Sequence, residues 1–181
     1  PRLQEAKEAP ALCHRYGVPL IVNDSGEVAR QSGADGVQVG IEDQPVEAIR
    51  RRAGKGFLIG ATAKTVAQAQ AAQAAGADYL GVGAVFPSPT KKNAIRITVE
   101  QLKEICASVS IPCVAIGGID STNMAYLSGG GMAGFAWVSA IFSQPVLATD
   151  CRTLRLPAER PVKEGKTRTP LGPSPDAPPA S

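Results

Sequence analysis

Short apolar runs alternate along this chain with amphipathic or alanine-rich segments, and turn residues punctuate the changeovers. Residues 18–22, 36–40, 57–61, 79–86, 111–116 and 134–141 read as strands. Residues 2–16, 27–32, 45–52, 65–75, 98–109 and 122–127 read as helices, with Pro10 expected to interrupt the first and Pro45 suited to a first turn. Val99, Leu102, Ile105, Cys106 and Val109 fall on one helical face. Gly33 and Gly76 stop the helices before them. Gly33-Ala34-Asp35-Gly36 ahead of one strand recurs as Gly76-Ala77-Asp78-Tyr79 ahead of another.

A regular strand–helix alternation with short connections implies a parallel sheet with right-handed crossovers. No dinucleotide glycine fingerprint opens the first strand. The pattern predicts an α/β fold of the (β/α)8 TIM-barrel type, but incomplete: about six βα units are present, and two strands are missing at the start. After Phe142 the character changes, and residues 157–181 carry seven of the fifteen prolines. The expected division is an incomplete barrel over 1–142 and a largely disordered, proline-rich tail over 143–181.

Composition narrows the classes. Hydrophobic residues make up 44% and aromatics 4% of 181 residues, so small aliphatic side chains fill the core, as tight α/β layers allow. A net charge of +3 with scattered lysines and arginines gives no case for nucleic acid. No apolar run approaches the length of a membrane span, and the first residues lack a signal-peptide pattern. Cys13, Cys106, Cys113 and Cys151 have no paired spacing and read as reduced small hydrophobes of a cytoplasmic protein.

Candidate chemistry gathers where strands end, as it does in barrels. Residues 81–93 pass from a glycine-bearing strand through Pro87 and Pro89 into Ser88, Thr90, Lys91 and Lys92, a loop offering donors and positive charge to a phosphate or pyrophosphate. A solvated surface turn is the alternative. Asn23-Asp24 and Glu42-Asp43 end neighbouring strands, so Asp24 and Asp43 read either as helix caps or as carboxylates sharing a Mg2+ ion with a substrate's phosphates. Gly117-Gly118 and Val138-Ser139-Ala140 end the last two strands, where backbone N–H groups bind phosphate or simply make tight turns. Thr62 suits a donor to a phosphate or a heterocycle, or a helix cap. Lys64 suits a solvated loop. His14, the one histidine, lies on an early helix and reads as structural, which argues against a Ser/His/Asp hydrolase. Two anion sites, two acids and a lysine loop suit a reaction between two phosphorylated molecules.

Ile21-Val22-Asn23-Asp24, Gly33 to Asp43, Phe86-Pro87-Ser88-Pro89-Thr90-Lys91-Lys92, Ala115-Ile116-Gly117-Gly118-Ile119 and Val138-Ser139-Ala140-Ile141 together resemble thiamine-phosphate synthase, over roughly residues 12–142. The resemblance implies a (β/α)8 barrel that joins hydroxymethylpyrimidine pyrophosphate to thiazole phosphate, giving thiamine phosphate and pyrophosphate. It also implies roles. Asp24 and Asp43 would bind Mg2+, and Asn23 the pyrophosphate side. Lys91 and Thr62 would hold the pyrophosphate as the catalytic pair, Thr62 in place of the usual Ser. Ser88 and Thr90 would line the thiazole phosphate site, with Gly117, Gly118 and the backbone of Val138 and Ser139 holding that phosphate.

This chain departs from the family pattern. Gln38 stands where the family usually has His, Ile41 where it has Gln, and Lys64 where His is common. The family's first two strands, with a Gln-x-Arg-x-Lys motif, have no counterpart, so the chain is expected to be inactive or weakly active alone, and its open sheet edges to invite a homo-oligomer. Two alternatives stand beside the synthase: a thiazole tautomerase-like enzyme, which needs no metal pair, and a non-catalytic phosphate-binding remnant.

Overall fold

A computed structural model describes residues 2–87 and 95–143, with side chains from residue 9. Six strands lie side by side in chain order: β1 (Ile21–Asn23), β2 (Gly36–Val39), β3 (Leu58–Ala63), β4 (Tyr79–Val82), β5 (Cys113–Ala115) and β6 (Gly134–Phe135). Every neighbouring pair is parallel. Helix α1 (Arg2–Arg15) precedes β1. Helices α2 (Gly26–Ser32), α3 (Val46–Ala53), α4 (Val66–Ala74) and α5 (Val99–Ala107) link the first five strands. A 3-10 turn (Met124–Leu127) follows β5, and the one-turn α6 (Ser139–Phe142) follows β6. The result is a half-barrel: six βα units of a TIM-type arrangement, as the alternation predicts.

Period-two alternation divides the sheet into two unlike faces. The register aligns Val22, Val37 and Ile59, then Val39, Ala61, Leu80 and Cys113, then Ala63, Val82, Ala115 and Phe135. Most of these are buried under the helices, with Val37, Ile59, Ala63, Leu80, Val82 and Ala115 fully sealed. The opposite face carries Ile21, Gly36 and Leu58, then Asn23, Gln38, Gly60 and Tyr79, then Thr62, Gly81, Val114 and Gly134. That face is small, polar and half open: Leu58 keeps 36% of its surface in solvent, and Ile116 beyond β5 keeps 38%.

Local chemistry sets the helix ends. Ser25, Thr65 and Thr98 accept from the N–H groups of Val28, Gln68 and Gln101, and the Gln101 side chain returns a bond to the Thr98 N–H. The recurring Gly-Ala-Asp segment is a structural repeat. Asp35 accepts the Leu20 N–H at 2.7 Å and the His14 imidazole at 2.8 Å. Asp78 accepts the Ile59 N–H at 2.7 Å and pairs with Arg50. His14 thus has the structural role its position on α1 predicts.

Four expectations are corrected. Pro10 is buried inside an unbroken α1, since one missing N–H removes only one of the helix's bonds. The strand expected over 79–86 stops at Val82. Beyond it Val85 and Phe86 donate to the carbonyls of Ile116 and Gly117, at 3.1 and 3.0 Å, outside regular pairing. The helix expected over 122–127 is only a 3-10 turn, because Asp120 takes the N–H groups of Thr122 and Asn123 in a local turn. The strand expected over 134–141 is two residues long and gives way to α6. An apolar run cannot by itself separate an edge strand from a helix.

Candidate active site

Parallel strands all end on the same side, so residues far apart in sequence meet at one rim. Asn23 closes β1, and Asp24 follows at φ 70°, a left-handed conformation that Asp tolerates better than most side chains. Its N–H donates to the Gln38 carbonyl at 2.8 Å, which ties it to β2. Its Oδ1 accepts the Asn23 amide at 2.6 Å. Asp43 folds back over the end of β2, its Oδ2 accepting the Gly40 N–H at 2.6 Å. Neither acid caps a helix: Ser25 and Pro45 occupy the cap positions of α2 and α3. Each carboxylate is thus steadied by one donor, and its other oxygen has no protein partner among the described residues.

Across the rim, Gly117 (φ 98°) and Gly118 (φ 61°) turn the chain after β5. A Cβ on Gly118 would lie 2.2 Å from the Pro87 carbonyl oxygen, and one on Gly117 would lie 2.6 Å from the Ala84 Cα. Glycine is therefore required twice over, by conformation and by contact. Both carbonyls of the turn are used, Gly117 by the Phe86 N–H at 3.0 Å and Gly118 by the Asn123 amide at 2.8 Å. Among the described residues the N–H groups of the two glycines have no acceptor. Val138 caps the first turn of α6 with its side chain exposed, and Ser139 opens that turn.

Thr62 lies inside β3, one residue short of its end, and its hydroxyl receives the Gln38 amide at 3.4 Å. Lys64 is not a solvated loop residue. Its Nζ donates to the carbonyls of Gly83 at 2.8 Å and Ile95 at 2.9 Å, joining the end of β4 to the segment ahead of α5. Tyr79 lines the open face one layer below Thr62, and burial, followed by the neighbouring Asp78 charge, pushes its phenol up to about 12. It stays protonated at neutral pH. Ser88, Thr90 and Lys91 lie outside the described residues. Gln38, Tyr79 and Lys64 are the rim and floor residues for which sequence reasoning supplied no contact. The signal for Tyr79 was its parity with Gly81 on one strand.

Among the described residues no group of three His, Cys, Asp or Glu side chains gathers to hold a metal, and no helix is long and apolar enough to cross a membrane.

A parallel half-barrel with acids and a glycine turn at the carboxyl ends of its strands defines a βα-barrel enzyme of the kind that handles small phosphorylated molecules. The family model described as thiamine monophosphate synthase matches residues 1–141, and the chain belongs to that family. It is 45% identical over 148 residues to the thiamine-phosphate synthase of Caldivirga maquilingensis, covering 82% of this chain and 70% of that one. The thiamine-phosphate synthase of Ruminiclostridium cellulolyticum is 42% identical over 151 residues, covering 83% of this chain and 72% of that one. The solved thiamine phosphate pyrophosphorylase from Pyrococcus furiosus superposes with a TM-score of 0.80 at 36% identity, over 87% of this chain and 76% of that one. The chain is an enzyme of the transferase class, making thiamine phosphate in thiamine biosynthesis.

Proposed function

We propose that the rim joins hydroxymethylpyrimidine pyrophosphate to thiazole phosphate, with the two phosphorylated groups bound at opposite sides. The observation that carries this reading is the pairing of Asp24 and Asp43 on neighbouring strand ends with the Gly117–Gly118 turn across the sheet. Asn23, Thr62 and Lys91 hold the pyrophosphate. Gly117, Gly118, the backbone of Val138 and Ser139, and the side chains of Ser88 and Thr90 hold the thiazole phosphate. In the reaction the bond from the pyrimidine methylene carbon to the pyrophosphate oxygen breaks, and its electron pair leaves with the oxygen. The lone pair of the thiazole nitrogen then forms the new carbon–nitrogen bond. Residues that stabilise charge building on the departing oxygens lower the barrier, which is the role assigned to Thr62 and Lys91.

The acids fit Mg2+. This ion usually keeps several waters and takes one or two carboxylates beside substrate phosphates, so a cluster of three acids is not needed. Asp24 and Asp43 would each offer an oxygen that no donor among the described residues uses. Bound there, Mg2+ would neutralise the pyrophosphate as it leaves. Residues 1–142 form the catalytic unit in this reading and 143–181 an appended segment, which the family match over 1–141 supports. The cysteine spacing, with no CxxC pair, supports a cytoplasmic setting. A homo-oligomer covering the edges of β1 and β6 is the expected assembly, and sedimentation reads it directly.

The decisive experiment incubates the purified full chain with both substrates and Mg2+ and measures thiamine phosphate and pyrophosphate. Slow but equimolar, Mg2+-dependent formation of the two products is expected. Thiazole phosphate binding with neither product formed would overturn the synthase reading in favour of a binding protein.

A further inference from the structure

Among the described residues, the open face holds a side-chain hydrogen bond between neighbouring strands. Gln38 on β2 reaches diagonally across the sheet, and its Nε2 donates to Thr62 Oγ1 at 3.4 Å. The register sets this reach. Gln38 is level with Gly60, and Thr62 is level with Gly81, one layer nearer the rim. The amide lies in a slot made by the two glycines. A Cβ on Gly60 would come within 2.1 Å of Gln38 Oε1 and 2.4 Å of the Tyr79 hydroxyl, and one on Gly81 within 3.3 Å of Gln38 Nε2. Side chains at those positions would expel the amide. The carbonyl end of Gln38 lies toward the Tyr79 phenol above Gly60. The donor end is left to face Thr62.

A threonine hydroxyl has one proton and two lone pairs. When it accepts from an amide N–H, its proton is released for another partner. Opposite a carbonyl or carboxylate the proton would be spent on that neighbour instead. An anion such as pyrophosphate accepts hydrogen bonds and donates none, so Thr62 serves it only when its own proton points outward. We propose that Gln38 is a positioning residue that keeps the Thr62 hydroxyl a donor toward the bound anion. The inference rests on the assignment of Thr62 to the pyrophosphate side.

The test is a double-mutant cycle on the full chain, read by calorimetric affinity for inorganic pyrophosphate with Mg2+ and by the KM for the pyrimidine substrate. Thr62→Val is expected to weaken pyrophosphate binding about tenfold, the ordinary worth of a hydrogen bond to a charged group. Gln38→Leu is expected to weaken it several-fold in the parent and not at all in the Thr62→Val background, because the two act as one unit. Gln38→His restores an N–H donor and should recover most of the affinity. Equal losses from Gln38→Leu in both backgrounds, or no loss in the parent while Thr62→Val loses tenfold, would overturn the positioning role. An unchanged affinity in Thr62→Val would instead overturn the Thr62 assignment itself, and this inference with it. If Gln38→Leu does not fold, Gln38→Glu against Gln38→His decides: a weakened Glu variant beside a normal His variant supports the role, and two equal variants refute it.

Discussion

Arg50 on α3 pairs with Asp78 ahead of β4 while the same guanidinium donates to the carbonyls of Gly54, Phe57 and Gly76. One side chain therefore ties a helix end, the entry to β3 and the turn before β4 at the edge of the sheet away from the rim. Arg50 is mostly sheltered and Asp78 about one-third exposed. Truncation leaves three carbonyls without this donor and the Asp78 carboxylate with only the Ile59 N–H. Arg50→Ala should cost about 2–3 kcal/mol, below the loss for a fully buried pair because water reaches part of the site. Urea unfolding followed by the fluorescence of the single Trp137 measures it. Arg50→Lys should recover little, since an ammonium cannot span the fork.

Asp35 does for β1 and β2 what Asp78 does for β3 and β4, and its pH response follows. Burial raises the Asp35 carboxyl, but the Leu20 N–H and His14 together outweigh it and hold the carboxyl below its usual range. A folded-state value depressed below the unfolded one gives stability that is present above about pH 3.9 and lost as pH falls through the folded value. Asp120 has the same sign, from the Thr122 hydroxyl and backbone bonds working against burial. Unfolding free energy should therefore drop on the acid side below about pH 4, and Asp35→Asn should flatten that slope while lowering stability at neutral pH. Urea midpoints taken from about pH 6 down to about pH 2 would show it.

Glycine is needed after β5 and merely preferred after the 3-10 turn. Gly118→Ala meets a positive φ and the Pro87 and Phe86 carbonyl oxygens at 2.2 and 2.7 Å, whereas Gly129→Ala meets a positive φ with open space around it. Backbone strain alone is worth about 1–2 kcal/mol. Gly118→Ala should exceed that and also weaken thiazole phosphate binding by tenfold or more, about 1.4 kcal/mol. Gly129→Ala should lose about 1 kcal/mol of stability and no binding. Thermal midpoints with phosphate titrations on both variants separate the two effects.

Much of this was legible from residue order, and the failures have physical reasons. Strand–helix alternation depends on local periodicity, so the order of elements and the rim positions of Asp24, Asp43, Gly117 and Gly118 could be read directly. The Gly-Ala-Asp repeat was visible, but its meaning was not, because Leu20, His14, Ile59 and Arg50 reach those acids only after folding. Gln38 meets Thr62 through a diagonal that exists once register is fixed. Lys64 looked like a solvated lysine because its acceptors are backbone carbonyls, which every residue has. The run at 134–141 looked like one strand because an edge strand and a short helix need the same apolar content.

Asp24 and Asp43 can be changed without disturbing their local bonds. Asparagine accepts the Gly40 N–H as Asp43 does and tolerates the φ of 70° at Asp24. Asp24→Asn and Asp43→Asn should therefore fold with near-parent thermal midpoints. Each should lose roughly 100-fold in kcat/KM, about 2.7 kcal/mol, and require more Mg2+ for half-maximal rate. Parent-like Mg2+ dependence in both variants would remove these acids from the metal site.

Lys64 gives the last prediction, because its role is mechanical and can be read without substrate. Two of its bonds join Gly83 to Ile95, and next to them the Ile97 N–H donates to the Ala84 carbonyl at 2.9 Å. Lys64→Met keeps the aliphatic stem and deletes the donors, leaving two carbonyls to find water. The cost should be about 1–2 kcal/mol, since the Ile95 end is exposed and rehydrates readily. The opening should be local rather than global, as the apolar face of β4 stays sealed through Leu80 and Val82. Hydrogen exchange at the Ile97 amide should accelerate about tenfold, while exchange at Leu80, whose N–H is bound by the Pro112 carbonyl at 2.9 Å, follows only the drop in global stability. Acceleration at Ile97 no greater than at Leu80 would show that Lys64 supports the fold as a whole and not the end of β4.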